Sequence, residues 1–272
     1  MLITCTKSIS HLIERYDEMV QEIFKRYELK YLLNWKQYLA LHDAILPYMG
    51  FDTYGNPEGK YNIVSLYYES DDKKVYYETM DRMQFRQKLR LRVYDEADLL
   101  SNAFIEIKQK FKNVVNKRRT VIPLAQAYDI LTKPYDEQLV KNVQASNPQI
   151  LKEALHFKDL YELKPATIVS YDRQALSGVL ENEQDLRVTF DYNLMCRSKD
   201  LKLENGPVGL PFLDKEMVIL EVKVSNSVPF WLTRILSDFN FVQQGFSKFC
   251  TSIDLLEQQD EGSLQILSEV FS

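Results

Sequence analysis

Charged and apolar side chains alternate along several strand-like segments of this chain. At residues 88–93, Lys88, Arg90 and Arg92 alternate with three aliphatic residues. Successive side chains of a strand point to opposite faces, so the three charges share one face. The same alternation occurs at residues 26–31, 104–111, 186–191 and 220–224. If these strands pair in one sheet, their like charges converge and need an anion or interleaved carboxylates to neutralise them. The pattern therefore predicts a protein that holds a polyanion.

The alternative is a set of ordinary half-buried strands with solvated outer faces. The overall charge disfavours it, because the formal net charge is -5 and the basic strands do not reflect general basicity. Residues 251–272 contain acidic residues but no Lys or Arg. An acidic chain also disfavours nonspecific DNA binding, and no aromatic platform for RNA can be distinguished from ordinary strand residues. We therefore predict no nucleic-acid partner.

Composition and length fit a folded protein without a membrane segment. The chain has 272 residues, of which 45% are apolar and 12% aromatic, enough for a sizeable core. No stretch approaches the roughly 18 apolar residues of a membrane span. The first ten residues lack the apolar region of a signal peptide. We expect a cytoplasmic protein that is not inserted in a membrane.

Cysteine and histidine supply no metal site. Cys5, Cys196 and Cys250 are far apart and form no C-x-x-C pair, so reduced thiols are expected rather than disulfides or a zinc site. The three histidines are equally dispersed. His42 falls on an apolar stripe at helical spacing, which predicts a packed histidine without a chemical role.

The predicted elements form one domain over residues 1–272, without a boundary linker. Asn34 is a candidate N-cap for the predicted helix that begins at residue 35. The predicted helices are 11–24, the segment from 35 to about 49, a helical insertion at about 123–165 broken at Pro134 and at Asn147-Pro148, 229–241, and the acidic tail. The predicted strands are 25–33, 61–69, 74–79, 87–94, 103–111, 117–122, 166–172, 185–192, 201–203 and 217–224.

A charged inner face rules out a conventional sandwich, because unpaired buried charge is very costly. A closed antiparallel barrel with a hydrated lumen solves this, since closure removes the sheet edges and the outer apolar faces pack under helices. We therefore predict an α+β fold in which a closed antiparallel β-barrel forms a tunnel, with helices packed outside. The residues expected to face the lumen are Lys30, Arg90, Arg92, Lys108, Arg187 and Lys223, and those expected to face outward are Leu29, Leu89, Leu91, Ile107 and Val222.

A tunnel lined by Lys and Arg suits a linear chain of phosphates, because guanidinium groups bind phosphate oxygens bidentately. Glu28, Glu106 and Glu221 would repel such a ligand unless they held Mg²⁺ or Mn²⁺ that bridges to phosphate. Alternatively, each Glu pairs with the Lys two residues further along its own strand. For Glu221 we favour the metal, and for the other two both interpretations stay open.

Eight segments, in this order, resemble the VTC domain, the polyphosphate polymerase module of the vacuolar transporter chaperone complex. The VTC domain belongs to the triphosphate tunnel metalloenzymes, which are related to the CYTH proteins. The resemblance extends from about residue 24 to residue 251. The segments are 26–31 (RYELKY), 65–68 (SLYY), 88–92 (KLRLR), 106–108 (EIK), 117–119 (KRR), 171–173 (YDR), 220–223 (LEVK) and 246–249 (FSKF).

The resemblance implies an enzyme that moves the terminal phosphate of ATP onto a polyphosphate chain threaded through the tunnel, with Mn²⁺ or Mg²⁺ as cofactor. Glu221 would be the main metal ligand, with Glu28 as a second. The implied catalytic residues are Arg90, Arg92, Lys223 and Glu221. The implied phosphate-binding residues are Lys30, Lys108, Lys117, Tyr171, Arg173, Ser247 and Lys248.

Two departures from the wider superfamily bear on this expectation. CYTH proteins begin with Glu-x-Glu-x-Lys, whereas this chain has Arg26 at the first position, which favours the VTC branch. The segment before Ser247 lacks a basic residue that the family often carries. Because no regulatory domain or membrane helix is recognised, we expect a stand-alone bacterial form.

Three functions remain open at this point. The favoured one is an ATP-dependent polyphosphate polymerase. An inorganic triphosphatase is the alternative enzyme, because the same tunnel could position water instead of a phosphate acceptor. A non-catalytic polyphosphate-binding module is the third, although the presence of Glu221 favours catalysis.

Overall fold

The computed structural model describes residues 23–270, apart from the side chains of residues 182 and 260–270. The strands are β1 (Ile23–Asn34), β2 (Met49–Phe51), β3 (Lys60–Glu69), β4 (Phe85–Tyr94), β5 (Asn102–Phe111), β6 (Val114–Pro123), β7 (Lys164–Gly178), β8 (Arg187–Arg197), β9 (Leu210–Pro211) and β10 (Met217–Val224). The helices are α1 (Trp35–Ile45), α2 (Lys74–Met80), α3 (Leu124–Thr132), α4 (Glu137–Lys141), α5 (Pro148–Leu160), α6 (Phe230–Asp238) and α7 (Lys248–Val270). Short 3₁₀ helices lie at Leu46–Tyr48, Glu181–Glu183 and Leu203–Asn205.

Eight strands close into an antiparallel barrel, as predicted. Around the barrel the strand order is β7-β3-β4-β5-β6-β1-β10-β8, and pairing between β8 and β7 closes the circle. The short strands β2 and β9 extend the sheet beside β7 and β8. Closure leaves none of these eight strands with an unpaired edge along its whole length.

The strand register brings the charged faces together inside the barrel. Arg90 lies opposite Glu106, which in turn lies opposite Arg119 on the next strand. On the other side of the barrel Lys30 lies opposite Glu221. Carboxylates therefore alternate with cations across neighbouring strands, which reduces the repulsion that like charges in register would cause.

The opposite face of each strand carries the core. Leu89, Leu91 and Ile107 are fully buried in a cluster with residues of α3 and α5. Val222 is fully buried in a second cluster with residues of α1 and α6, against which Leu29 packs with partial exposure. The outward orientation predicted for these residues is confirmed.

Helix α1 begins where the sequence predicted. The Asn34 side chain accepts a hydrogen bond from the backbone N–H of Gln37, and the Gln37 side chain accepts one from the N–H of Asn34. This reciprocal capping satisfies two N–H groups that the first turn cannot pair internally. On α1, His42 packs against the rings of Phe51 and Phe190, in agreement with the predicted packed histidine.

The predicted strand at 74–79 is wrong, because this segment forms α2. The carboxylate of Glu69 accepts hydrogen bonds from the backbone N–H groups of Val75 at 2.9 Å and Tyr76 at 2.7 Å. These bonds satisfy N–H groups of the first helical turn. A cap from a residue outside the segment thus outweighs the strand propensity of Val and Tyr.

The predicted strand at 201–203 is also wrong. The Arg197 guanidinium donates hydrogen bonds to the carbonyl oxygens of Asp200 at 2.9 Å, Lys202 at 2.6 Å and Gly206 at 2.8 Å, which holds this segment as a loop. The strand that pairs with this end of β8 is β9, which has two residues.

The remaining predictions have mixed outcomes. Residues 23 and 24 of the predicted helix 11–24 begin β1, and residues 11–22, like Cys5 and His11, lie outside the described residues. The helical insertion corresponds to α3, α4 and α5, and Asn147 caps α5. Cys196 and Cys250 are free buried thiols. The single-domain interpretation stays a prediction. None of the helices described between residues 23 and 270 is long and apolar enough to cross a bilayer.

We predict that the apolar outer face of the barrel carries much of its stability. Leu91→Ala should lower the free energy of unfolding by about 2–5 kcal/mol, because a fully buried Leu leaves a cavity when truncated. Leu100→Ala is the matched control, since Leu100 is 83% exposed and should change stability by less than about 0.5 kcal/mol. Urea unfolding measures both, and equal midpoints for the two variants would contradict the assignment.

Candidate functional site in the barrel lumen

A buried carboxylate, Glu106 on β5, organises the first cluster in the lumen. Its oxygens lie 2.6 Å from Nε of Arg90, 3.0 Å from Nζ of Lys117 and 3.7 Å from Nε of Arg92. Burial alone would raise the pKa of Glu106, but these three cations hold it well below its usual value. Glu106 is therefore an ionised carboxylate that holds three cations from its two neighbouring strands, β4 and β6, in place.

Glu221 on β10 organises the second cluster. Its oxygens lie 2.8 Å from Nζ of Lys223, 3.1 Å from Lys30, 3.2 Å from Lys248 and 3.3 Å from Nη2 of Arg173. Burial would raise the pKa of Glu221, and the neighbouring cations, Lys223 foremost, keep it well below its usual value. Four cations from three strands and from α7 thus converge on one carboxylate.

Two further carboxylates complete the pairing. The Asp191 carboxylate on β8 accepts hydrogen bonds from Nε and Nη2 of Arg173, at 2.6 Å and 2.8 Å. It also lies 2.6 Å from Nζ of Lys248. The Glu28 carboxylate on β1 accepts a hydrogen bond from Nζ of Lys108 at 2.7 Å. The bidentate geometry between Arg173 and Asp191 is the same that a guanidinium offers to phosphate.

Neutral hydroxyl groups of β3 and β7 accept hydrogen bonds from the two arginines of β4. Nε of Arg92 donates to Oγ of Ser65 at 3.0 Å, and Nη2 of Arg92 donates to the Tyr171 hydroxyl at 3.2 Å. Nη1 of Arg90 donates to the Tyr67 hydroxyl at 3.0 Å. Burial would raise the pKa of Tyr67, but the charges of Arg90 and Arg92 lower it to about 8.

The start of α7 lies against one end of the lumen. The segment before it joins β1, where the backbone N–H of Gln244 donates to the carbonyl of Lys30, and Nζ of Lys30 donates to the carbonyl of Phe246 at 3.0 Å. Nζ of Lys88 donates to Oγ of Ser247 at 2.9 Å. Lys248 then reaches Asp191 and Glu221 inside the barrel. A segment far along the chain therefore supplies part of the lumen.

The structure brings the sequence-predicted site residues together in one lumen, and their catalytic and phosphate-binding roles stay predictions. Arg187 also faces this lumen, at its other mouth, where it donates to the Tyr61 hydroxyl at 2.9 Å and pairs with Asp52. The residues brought together are Glu28, Lys30, Arg90, Arg92, Lys108, Lys117, Tyr171, Arg173, Glu221, Lys223, Ser247 and Lys248.

Two of the carboxylates have partners other than those of the ion-pair alternative. Glu28 pairs with Lys108 instead of Lys30, and Glu106 pairs with Arg90 and Lys117 instead of Lys108. Arg90 lies opposite Glu106 in register, whereas Lys108 reaches Glu28 from β5, which is separated from β1 by β6. Closure of the barrel therefore supplies partners from other strands. The pair between Glu221 and Lys223 is present, as in the ion-pair alternative.

Sequence reasoning missed several lumen residues for which a signal existed. Asp191 shares the alternating face of 186–191 with Arg187, and Lys88 opens the alternating segment that contains Arg90. Neither was assigned a role in the site, although Lys88 begins the resembling segment 88–92. Tyr67 lies in the resembling segment 65–68, but strand tyrosines are common and its contact with Arg90 depends on the register.

The lumen carboxylates fit a metal that arrives with phosphates better than one held by the protein alone. The described residues contain no group of three His, Cys, Asp or Glu side chains able to hold a metal ion. Glu221 is surrounded by cations, and Glu28 is bound by Lys108. Mg²⁺ in phosphoryl-transfer sites uses one or two carboxylates and takes its other ligands from phosphate and water. Glu221 meets that lesser requirement.

Comparison with known proteins identifies the family. The sequence profile described as the VTC domain matches residues 25–257. No match was found among curated proteins.

Similar solved structures share little sequence with this chain. One is a putative adenylyl cyclase from Hippeastrum described as having a dominant triphosphatase activity, with 12% identity over 84% of this chain and 95% of that one and a TM-score of 0.46. Another is the PH1819 protein of Pyrococcus horikoshii OT3, with 11% identity, 86% and 99% coverage and a TM-score of 0.40. A third is the mimivirus capping enzyme triphosphatase, with 10% identity, 88% and 96% coverage and a TM-score of 0.35.

We predict that anion binding in this lumen takes up protons through Lys88. Burial lowers the pKa of Lys88 from its ordinary value near 10.5 to about 8. The buried ammonium therefore lowers the free energy of unfolding fully below pH 8, and this cost declines as the pH rises from about 8 to about 10.5. A bound anion favours the charged ammonium. Tripolyphosphate binding at pH 8.5 should therefore take up more protons in the wild type than in Lys88→Met.

Calorimetry in two buffers of different ionisation enthalpy measures this difference, and the ligand's own protons cancel in the comparison. Lys112→Met is the control, because Lys112 is exposed. Tyr67→Phe tests the contribution of Tyr67, whose pKa the neighbouring arginines lower to about 8. Equal proton uptake by Lys88→Met and the wild type would show that Lys88 does not contribute.

Proposed function

Since the chain belongs to the VTC-domain family, we propose that it transfers the terminal phosphate of ATP onto a polyphosphate chain held in the barrel lumen. Membership of this family supports a polyphosphate- or triphosphate-related function, and the transfer onto a growing chain is the more specific claim. The observation that carries the proposal is the convergence of cations from β1, β4, β5, β6, β7, β10 and α7 inside the closed barrel.

These cations are arranged for a linear anion rather than for a compact one. Arg90, Arg92 and Lys117 form one cluster around Glu106, whereas Lys30, Arg173 and Lys248 form another around Glu221. A chain of phosphates places successive negative charges at intervals and can satisfy both clusters, exchanging protein carboxylates for phosphate oxygens. Arg90 and Arg173 present planar guanidinium groups that suit phosphate in the same way as carboxylate.

Phosphoryl transfer needs positioning and charge neutralisation rather than covalent participation by the protein. In this lumen Arg90, Arg92 and Arg173 would orient the phosphates and stabilise the charge on the transferred group, and the hydroxyls of Tyr171 and Ser247 would add neutral donors. A divalent cation carried in with the phosphates, held by Glu221, would neutralise further charge on the transferred group.

The alternative function is hydrolysis of triphosphate, in which water takes the place of the acceptor phosphate. The same cations would bind the substrate, so the lumen supports both reactions. The polymerase is favoured by Arg26, which replaces a carboxylate at the first position of the CYTH motif and adds a cation along the path of a long chain.

The first test concerns the anion site. Arg90→Ala and Arg92→Ala should each weaken tripolyphosphate binding roughly tenfold to a hundredfold, because a charge-assisted hydrogen bond is worth about 1.5–3 kcal/mol. Arg→Lys at either position should recover only part of the affinity, since Lys lacks the planar fork. Glu106 keeps two cations in each variant, so the fold should survive.

Arg118→Ala is the matched control. Arg118 lies on β6 beside Lys117 but points outward, where it pairs with Glu153 of α5. Its removal should leave tripolyphosphate affinity within about twofold. Calorimetry measures all these variants, and wild-type affinity in both lumen variants would refute the assignment of Arg90 and Arg92.

The second test concerns the reaction. Purified protein incubated with ATP and Mn²⁺ or Mg²⁺ should produce long polyphosphate, visible as a ladder on a gel, whereas orthophosphate alone would establish the triphosphatase. Glu221→Gln keeps the shape but removes the charge that would hold the metal. Turnover should collapse while metal-free tripolyphosphate binding survives. A near-wild-type Mn²⁺ titration in this variant would show that Glu221 serves only as an ion-pair partner.

A further inference from the structure

Asp191 is a buried carboxylate of the lumen to which the predicted site assigns no role. It lies on β8 directly opposite Arg173 of β7 and has no exposed surface. Its two oxygens accept hydrogen bonds from Nε and Nη2 of Arg173, at 2.6 Å and 2.8 Å. Both oxygens therefore bind one edge of a single guanidinium, which is the arrangement in which arginine also binds phosphate. A side chain of the protein itself thus occupies this edge of Arg173.

Arg90 and Arg92 are held differently. Arg90 divides its donors between Glu106, which accepts from Nε, and the Tyr67 hydroxyl, which accepts from Nη1. Arg92 donates through Nε and Nη2 to two neutral hydroxyl groups. A phosphate that approaches Arg92 therefore displaces neutral acceptors, whereas one that approaches the same edge of Arg173 displaces a carboxylate. Because charge-assisted hydrogen bonds are the stronger ones, displacement at Arg173 costs more.

Asp191 can release Arg173 without becoming an unpaired buried charge. Nζ of Lys248 lies 2.6 Å from Oδ2 of Asp191, so this pair remains when Arg173 turns towards a ligand. The centre of the Tyr171 ring lies 5.4 Å from the guanidinium carbon of Arg173 and 4.8 Å from Nζ of Lys248, which supports both cations independently of the carboxylate. Burial would raise the pKa of Asp191, but Arg173 and Lys248 hold it below its usual value. Asp191 is therefore an ionised acceptor.

We propose that Asp191 competes with the phosphate chain for Arg173 and so limits the affinity of the lumen for linear inorganic polyphosphate. This role rests on the proposed function, because it requires the chain to bind in the lumen. Each transfer lengthens the chain by one unit, and the chain must then move by one unit before the next transfer. Asp191 takes back the guanidinium whenever a phosphate leaves it, which lowers the free-energy cost of that movement.

Metal-free calorimetry with long-chain polyphosphate tests the competition. Asp191→Asn keeps the size of the side chain but removes the charge that holds Arg173. Affinity should therefore rise about tenfold, roughly the value of one charge-assisted hydrogen bond. The empty protein should unfold at a lower urea concentration, because Arg173 and Lys248 lose a shared anion. Tighter binding together with lower stability is a combination that a purely structural role would not produce.

Asp172→Asn is the matched control. Asp172 precedes Arg173 on β7 and lies on the opposite face of the strand, where its oxygens accept hydrogen bonds from Asn62 and Asn193. This variant removes the same charge, and its affinity should stay within about twofold of the wild type. If Asp191→Asn does not fold, Lys248→Met is compared with Asp191→Asn/Lys248→Met, in which the lost cation offsets the lost anion. The double variant should bind polyphosphate more tightly than the single one.

Unchanged or weaker binding in Asp191→Asn would make Asp191 a support for the two cations and overturn the proposal. Equal tightening in Asp172→Asn would reduce the effect to net charge, with the same consequence. With ATP and Mn²⁺, Asp191→Asn should elongate polyphosphate more slowly than the wild type, and elongation at the wild-type rate would contradict the role in chain movement.

The function on which this role rests can fail separately. If the wild type binds no polyphosphate, the proposed function fails, and Asp191 has no ligand with which to compete. If the wild type binds polyphosphate but releases only orthophosphate from ATP, the polymerase is refuted, whereas the calorimetry of Asp191→Asn still decides whether the carboxylate competes for Arg173.

Discussion

Ion pairing inside the barrel is the interaction on which the rest of the structure depends. Closing eight strands brings basic side chains into a confined space, where their repulsion is screened poorly. Glu106, Asp191 and Glu221 are almost completely buried and lie between these cations. Each joins cations from different elements of the fold, so closing the barrel also neutralises its charges. The apolar outer face then packs under the helices without conflict.

The same arrangement explains how a stable empty lumen can also be a binding site. The carboxylates satisfy the deepest cations, but lumen lysines such as Lys88 and Lys108 remain buried at a cost that lowers their pKa. An anion that fills the lumen would remove this cost. Binding and stability are therefore linked, and a phosphate ligand should stabilise the fold according to its concentration and affinity.

Much of the fold could be predicted because alternation has a direct geometric meaning. Once Lys88, Arg90 and Arg92 share a face, a closed barrel follows from the cost of burying unpaired charge. Partners across strands could not be predicted, since they depend on register: the sequence neighbours Glu106 and Lys108 lie on one face but bind different groups. Contributions from distant segments, such as the Glu69 cap on α2, were equally out of reach. The order of the motifs, rather than geometry, placed Ser247 and Lys248 in the site.

The neighbouring residues Lys117, Arg118 and Arg119 show that the charges in the lumen depend on the alternation of side chains along a strand. Lys117 and Arg119 face inward, the latter over the ring of Phe104, while Arg118 reaches Glu153 outside. Inserting one residue into β6 would exchange the two faces beyond it, presenting apolar groups to the lumen and charges to the core. Inserting two would restore the alternation. In natural variants of this barrel, length changes within the strands should therefore come in even numbers, while loops vary freely.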